Sequence, residues 1–143
     1  MKKTLFALGL FAAISISHAA ACLPYEPTEV FLHGELVRKT FPGPPNFESV
    51  ADGDAAETGF YLRLAQPVCT LEGKEDFDNA KKDGVRLVQL VLDQKGYDHW
   101  RPKLGKTVTV KGTLFSGFTG HHHADLLLTV APPDVPRAGK APK

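Results

Sequence analysis

Apolar and polar residues alternate with a period of two along most of the chain from residue 29 onward, the spacing of half-buried strands rather than helices. In 29–39, Val30, Leu32 and Leu36 share one face and Glu35 and Lys39 the other, with Gly34 in mid-run. A glycine there predicts a bulge or a sharp bend. In 60–65, Phe60, Leu62 and Leu64 oppose Tyr61 and Arg63. Residues 85–92 are almost continuously apolar, which suits a strand covered on both faces. In 106–114, Val108, Val110 and Leu114 oppose Thr107, Thr109, Lys111 and Thr113, and 124–130 makes the last strand. Only 94–104 breaks the pattern. There Tyr97, Trp100 and Leu104 are spaced to share a helical face, Pro102 limits the length and Gly105 ends it.

The order is strand, long loop (41–59), strand, polar loop (70–84), strand, short helix, strand, loop (115–122), strand. The fold class is therefore all-β with one short helix. Five strands with a helix between the third and fourth give a small OB-fold-like barrel. A β-sandwich is the runner-up, but it wants more strands and no helix at that position. Tyr97, Trp100 and Leu104 are expected to plug one end of the barrel as core.

The first residues read as an address. Lys2 and Lys3 precede the apolar run 5–14, and small residues follow to Ala21. Residues 1–21 thus look like a secretory signal peptide, too short in their apolar part to span a bilayer. Ala19, where a lipoprotein signal has Leu, makes lipidation of Cys22 the poorer reading. The domain proper is 22–131, and 132–143, with its Pro and Lys, reads as a disordered tail. Export predicts a periplasmic or secreted protein and permits a Cys22–Cys69 disulfide.

The whole chain carries 17 Lys+Arg against 16 Asp+Glu. A near-neutral exported domain has little electrostatic reason to seek a phosphate backbone, so nucleic acid is excluded as a partner class. No membrane span is expected beyond the leader, and the domain is read as a monomer.

Several segments resemble a family of short exported bacterial proteins known only as a domain of unknown function. They are Cys22-Leu23-Pro24-Tyr25-Glu26-Pro27, the run from Arg38 to Val50, Pro67-Val68-Cys69, and Val108 to Leu128 with its histidine triplet. The resemblance brings no mechanism with it. The passage from Leu104 to Gly112 is also similar to the helix-to-strand junction of exported OB-fold proteins.

In such a barrel the loop between strands one and two lies beside the loop between strands four and five, and together they form the usual ligand surface. Phe41, Phe47, Phe115 and Phe118 are therefore expected to converge there with His122 as ligand contacts. If the stretch after Gly120 is extended, His121, His123 and Asp125 project to one side, as two or three ligands of a zinc or copper site. His33 or His99 would complete the set. Asp52-Gly53-Asp54 with Glu57 resembles a fragment of a calcium loop but lacks the later bidentate Glu, and a solvated turn is the better reading. Ser116 has no Gly-x-Ser-x-Gly elbow around it, and a disulfide would consume both thiols. The expectation is a non-enzymatic binding module for an envelope protein or a cell-wall saccharide, with metal binding by the His/Asp row as the alternative.

Overall fold

The computed structural model describes residues 21–73 and 79–132. The leader expected at 1–21 therefore lies outside the described residues except for its last position, and the tail expected at 132–143 does so except for its first. Within the described residues, five strands close into a barrel in the order β1-β2-β3-β5-β4. They are β1 (Glu29–Pro42), β2 (Ala56–Val68), β3 (Val85–Val91), β4 (Thr107–Ser116) and β5 (Leu126–Val130). A short helix, α1 (Gln94–Trp100), joins β3 to β4. The expected fold class holds, as does the position of the helix. The strand ends differ by a few residues, because edge polar residues such as Glu57 and Thr58 join the β2 ladder.

The strand β1 serves both of its neighbours. Its first half, Glu29 to Glu35, pairs with β4, and its second half, Gly34 to Pro42, pairs with β2. Gly34 sits at the crossover, paired with Leu64 on one side and Val108 on the other. A Cβ at this position would collide with the Arg63 carbonyl oxygen, so the close approach requires glycine. β3 and β5 are parallel, and every other ladder is antiparallel.

The inward-facing residues form the core. Leu36, Leu62, Val88, Val110, Leu114, Leu126 and Leu128 are fully buried, and burying a leucine side chain stabilises by about 1.5–3 kcal/mol. The helix closes one end. Asp93 caps it by accepting the Gly96 N–H at 2.7 Å, and such a cap contributes about 1 kcal/mol. Trp100 is buried and joins the core, while Tyr97 and Leu104 pack against it, so the three act as the expected plug. Tyr97 meets Phe60 edge-on, with 4.9 Å between centroids.

Cys22 and Cys69 form the expected disulfide. Beside it the Tyr25 hydroxyl donates to the Ala80 carbonyl at 2.8 Å, accepts from Thr70 and lies 3.1 Å from the Ser116 hydroxyl. Ser116, near the histidines in sequence, is thus buried in a structural network. No helix among the described residues is long and apolar enough to cross a membrane.

Candidate ligand-binding site

The β1–β2 loop, residues 43–55, is built around one carboxylate. Asp54 is only 6% exposed. Its Oδ1 accepts the Asn46 N–H at 2.9 Å and the Asn46 side-chain amide at 3.2 Å. Its Oδ2 accepts the N–H groups of Glu48 at 2.7 Å and Ser49 at 2.9 Å. Backbone N–H groups of a tight turn converge to make a nest for an anion. These donors, Ser49 first, then Glu48 and Asn46, hold the Asp54 carboxyl below the usual carboxylate range. The solvated-turn reading of 52–54 is corrected here, since Asp54 is the centre of the loop. The same wrapping forces Phe47 into the left-handed region at φ 59°, an uncommon and costly conformation for a bulky residue.

A second carboxylate ties this loop region to the β4–β5 loop, residues 117–125. Glu57, at the start of β2, points both oxygens at histidines. Oε1 lies 2.6 Å from His121 Nδ1, and Oε2 lies 2.7 Å from His123 Nε2. Hydrogen bonding from His123 comes first among the causes that pull the Glu57 carboxyl below its ordinary range, with burial opposing and His121 adding to the pull. Gln89, on the outer side of β3, reads the same loop through its backbone. Its side-chain amide donates to the His121 carbonyl at 3.1 Å, and its carbonyl accepts the His123 N–H at 2.7 Å.

Aromatic rings fill the space behind these bonds. Phe41 stacks on His123, with 4.9 Å between centroids and 6° between planes, and leans on Tyr61 at 5.4 Å. The Phe47 ring meets His121 edge-on at 5.4 Å and packs so close over Gly120 that a Cβ there would lie 2.9 Å from it. Tyr61 belongs to the outer face of β2 by alternation, yet it is buried, as is Leu127 of β5. The two loops therefore cover the outer face of β2, β3 and β5, and a small second core forms beneath them. Burial pushes the Tyr61 hydroxyl up to about 12, with Tyr97 and Glu57 adding to the shift.

His122 points elsewhere. Its Nδ1 accepts the Phe118 N–H at 3.0 Å, and its ring lies 4.7 Å from Phe118 and 5.5 Å from Phe115. Burial, then the charges of His121 and His123, lower its pKa. Phe118 stays 64% exposed and Phe47 36% exposed. The five residues expected to converge thus fall into two groups, Phe41 and Phe47 about His123 and His121, and Phe115 and Phe118 about His122.

The triplet is not extended. The His122 N–H closes a turn onto the Thr119 carbonyl, and β5 begins only at Leu126. His121 and His123 still meet, but on Glu57, while Asp125 offers its backbone carbonyl to the Gly117 N–H. His33 bonds Thr109 and His99 bonds Lys103 instead. Two ligands of one tetrahedral zinc, each about 2.0–2.1 Å from the ion, sit about 3.3 Å from one another. The Glu57 contacts are shorter and use separate oxygens, which is the geometry of shared protons. Among the described residues, one trio of metal-ligating side chains falls within 4.8 Å, Cys22, Cys69 and Asp83, and the disulfide occupies both of its sulfurs.

Residues 87–135 match the family model of a domain of unknown function, DUF4431. The DUF4431 match covers roughly a third of the chain. It runs from β3 through α1 and β4 to just past β5, so it takes in Gln89, Phe115, Phe118 and all three histidines. Glu57, Phe41 and Phe47 lie outside it, as do the segments at 22–27, 38–50 and 67–69 that carried the resemblance upstream. Neither a curated protein nor a solved structure matches the chain.

Sequence reasoning passed over Glu57, Gln89 and Asp54 as parts of this site. Glu57 and Gln89 alternate outward on their strands like any solvated polar residue. Their partners stand 64 and 32 residues away, so no local spacing marks them.

Proposed function

We propose that this protein is an exported, non-enzymatic binding module that takes its ligand on the paired β1–β2 and β4–β5 loops. One observation carries the reading: the start of β2 is tied to the β4–β5 loop by Glu57 between His121 and His123, Phe47 of the β1–β2 loop packs on His121, and the joined pair leaves Phe47 partly and Phe118 largely exposed. Exposed rings on a prearranged frame lose little entropy on binding, which is where loop-built sites otherwise lose affinity. The Cys22–Cys69 bridge supports export, because disulfides persist in oxidising compartments.

The test is retention from an envelope extract by immobilised protein, comparing wild type with Phe118→Ala and Phe47→Ala. A component held by wild type and lost from both variants, with amide spectra otherwise unchanged, is the expected result. Equal retention by all three proteins removes the loops from the binding surface.

Metal binding at His121 and His123, with Glu57 in place of the expected Asp125, is the second reading, favoured by two imidazoles meeting one carboxylate. The short Glu57 contacts weigh against it. Calorimetric titration with zinc and copper separates the two, since a proton-linked clamp gives no heat at micromolar metal.

A further inference from the structure

The binding reading leaves the ligand's chemistry open, and two adjacent histidines, exposed His121 and half-buried His122, narrow it. His122 Nδ1 accepts the Phe118 N–H, so its ring proton sits on Nε2, which is a donor. His121 is oriented the other way. Its Nδ1 faces the ionised Glu57 and donates to it, so in the neutral ring Nε2 carries a lone pair. Neither Nε2 has a protein partner among the described residues, and the His121 side chain is 62% exposed. One donor and one acceptor on adjacent residues therefore accompany two exposed rings, Phe47 against His121 and Phe118 against His122.

Three ligand classes fit this surface badly. An anion would meet the Glu57 carboxylate beside His121, and burial disfavours a charge on His122. Lys39 lies over the Phe41 ring at 5.8 Å rather than over either exposed ring. An extended peptide wants a strand edge to pair with, and neither loop, 43–55 or 117–125, contains a strand. A folded protein partner wants about 800 Å² of surface per side with an apolar centre, whereas two separated rings are exposed here.

We infer that the ligand is a neutral saccharide whose apolar ring faces lie on Phe47 and Phe118 while its hydroxyls accept from His122 Nε2 and donate to His121 Nε2. A hydroxyl does both at once, and the flat C–H faces of a pyranose match aromatic rings. This inference rests on the binding reading above and adds its substrate class.

The experiment uses the full exported chain against immobilised chitohexaose, maltohexaose and cellohexaose, with heparin fragments as the anionic arm and envelope extract as the protein arm. Binding to at least one neutral oligosaccharide is expected, weakened about tenfold or more by Phe118→Ala, as for a central contact. His121→Phe, which keeps a ring and removes the acceptor, should weaken it severalfold. Phe31→Ser, on the outer side of β1 away from both loops, should leave it unchanged. If no neutral oligosaccharide binds at millimolar concentration while heparin or an extracted protein is held through Phe118, the saccharide assignment is overturned and the binding module stands. If Phe118→Ala retains everything that wild type retains, both fall.

Discussion

The two ends of β5 are built on different principles. At its N-terminal end, the loops are fixed by directed bonds: Asp54 in its nest, Glu57 between two histidines, and Gln89 along the loop backbone. At its C-terminal end, Val130, Ala131 and Pro132 meet Val91, Leu92 and Trp100 around an apolar pocket of about 610 Å³. Packing holds most of that end, with the Asp93 cap as a directed bond, and the buried Trp100 indole N–H has no hydrogen-bond partner among the described residues. An unpartnered buried donor costs about 1–3 kcal/mol. Hydrogen bonds set the angles at which side chains are presented, while packing chiefly fixes stability. The loop end therefore reads as the part shaped for recognition, and the helix end as the part that keeps the barrel closed.

If that division is right, mutations at the helix end should act on folding. Trp100→Ala removes the largest side chain of the plug, and losses of this kind run to about 3–5 kcal/mol. The lower end of that range is expected, because the unpartnered N–H leaves with the ring. Urea unfolding of the full chain reads it directly. A change below about 1 kcal/mol would mean that the helix end is not a structural plug, and the comparison would collapse.

The loop end should respond locally instead. Asp54→Ala takes the acceptor from three backbone N–H groups at once. Exchange of the Asn46, Glu48 and Ser49 amides should quicken by on the order of tenfold or more, while core strand amides keep their protection. Loss of protection throughout β1 and β2 would show that the nest supports the barrel and not merely the loop.

The barrel itself was legible because its information is local. Period-two runs, Gly34 at the crossover and the Tyr97–Trp100–Leu104 spacing each report one element, and chain order then limits how five strands close. Half of the candidate site was legible for the same reason, since unusual loops rich in Phe, Gly and His stand out in any sequence. The other half was not. Tyr61 and Gln89 face outward by alternation and are covered only because a loop from elsewhere folds over them. Glu57 is one acid among 16, and nothing near it in the chain says that two histidines will close on it.

Acid should separate the two loops. His122 is held below its ordinary pKa by burial, so its folded state favours the neutral ring. Its contribution is intact above about pH 6.5, the unfolded value, and is lost as pH falls through the lower folded value. Asp54 and Glu57 also have lowered pKa values, but as acids they act further down. Their stabilisation is intact above about pH 4 and disappears as pH drops through their folded values. Amide exchange followed from pH 7 to 3 should therefore loosen Phe118 and its neighbours first and residues 46–49 later. His122→Leu should abolish the first step and leave the second. A single step in wild type would show that the loops behave as one unit.

The smallest expected effect is the most discriminating. Phe118 is large, apolar and 64% exposed, and among the described aromatic rings its ring meets Phe115 and His122. Surface substitutions away from buried features shift stability by about 0.5 kcal/mol or less. Phe118→Ala should accordingly leave the urea midpoint unchanged within that margin while weakening ligand capture. A folding cost above about 1.5 kcal/mol would place the ring with Trp100, as packing. The contrast between the two ends of β5 depends on that number, because a residue that stabilises nothing needs another reason to stand in solvent.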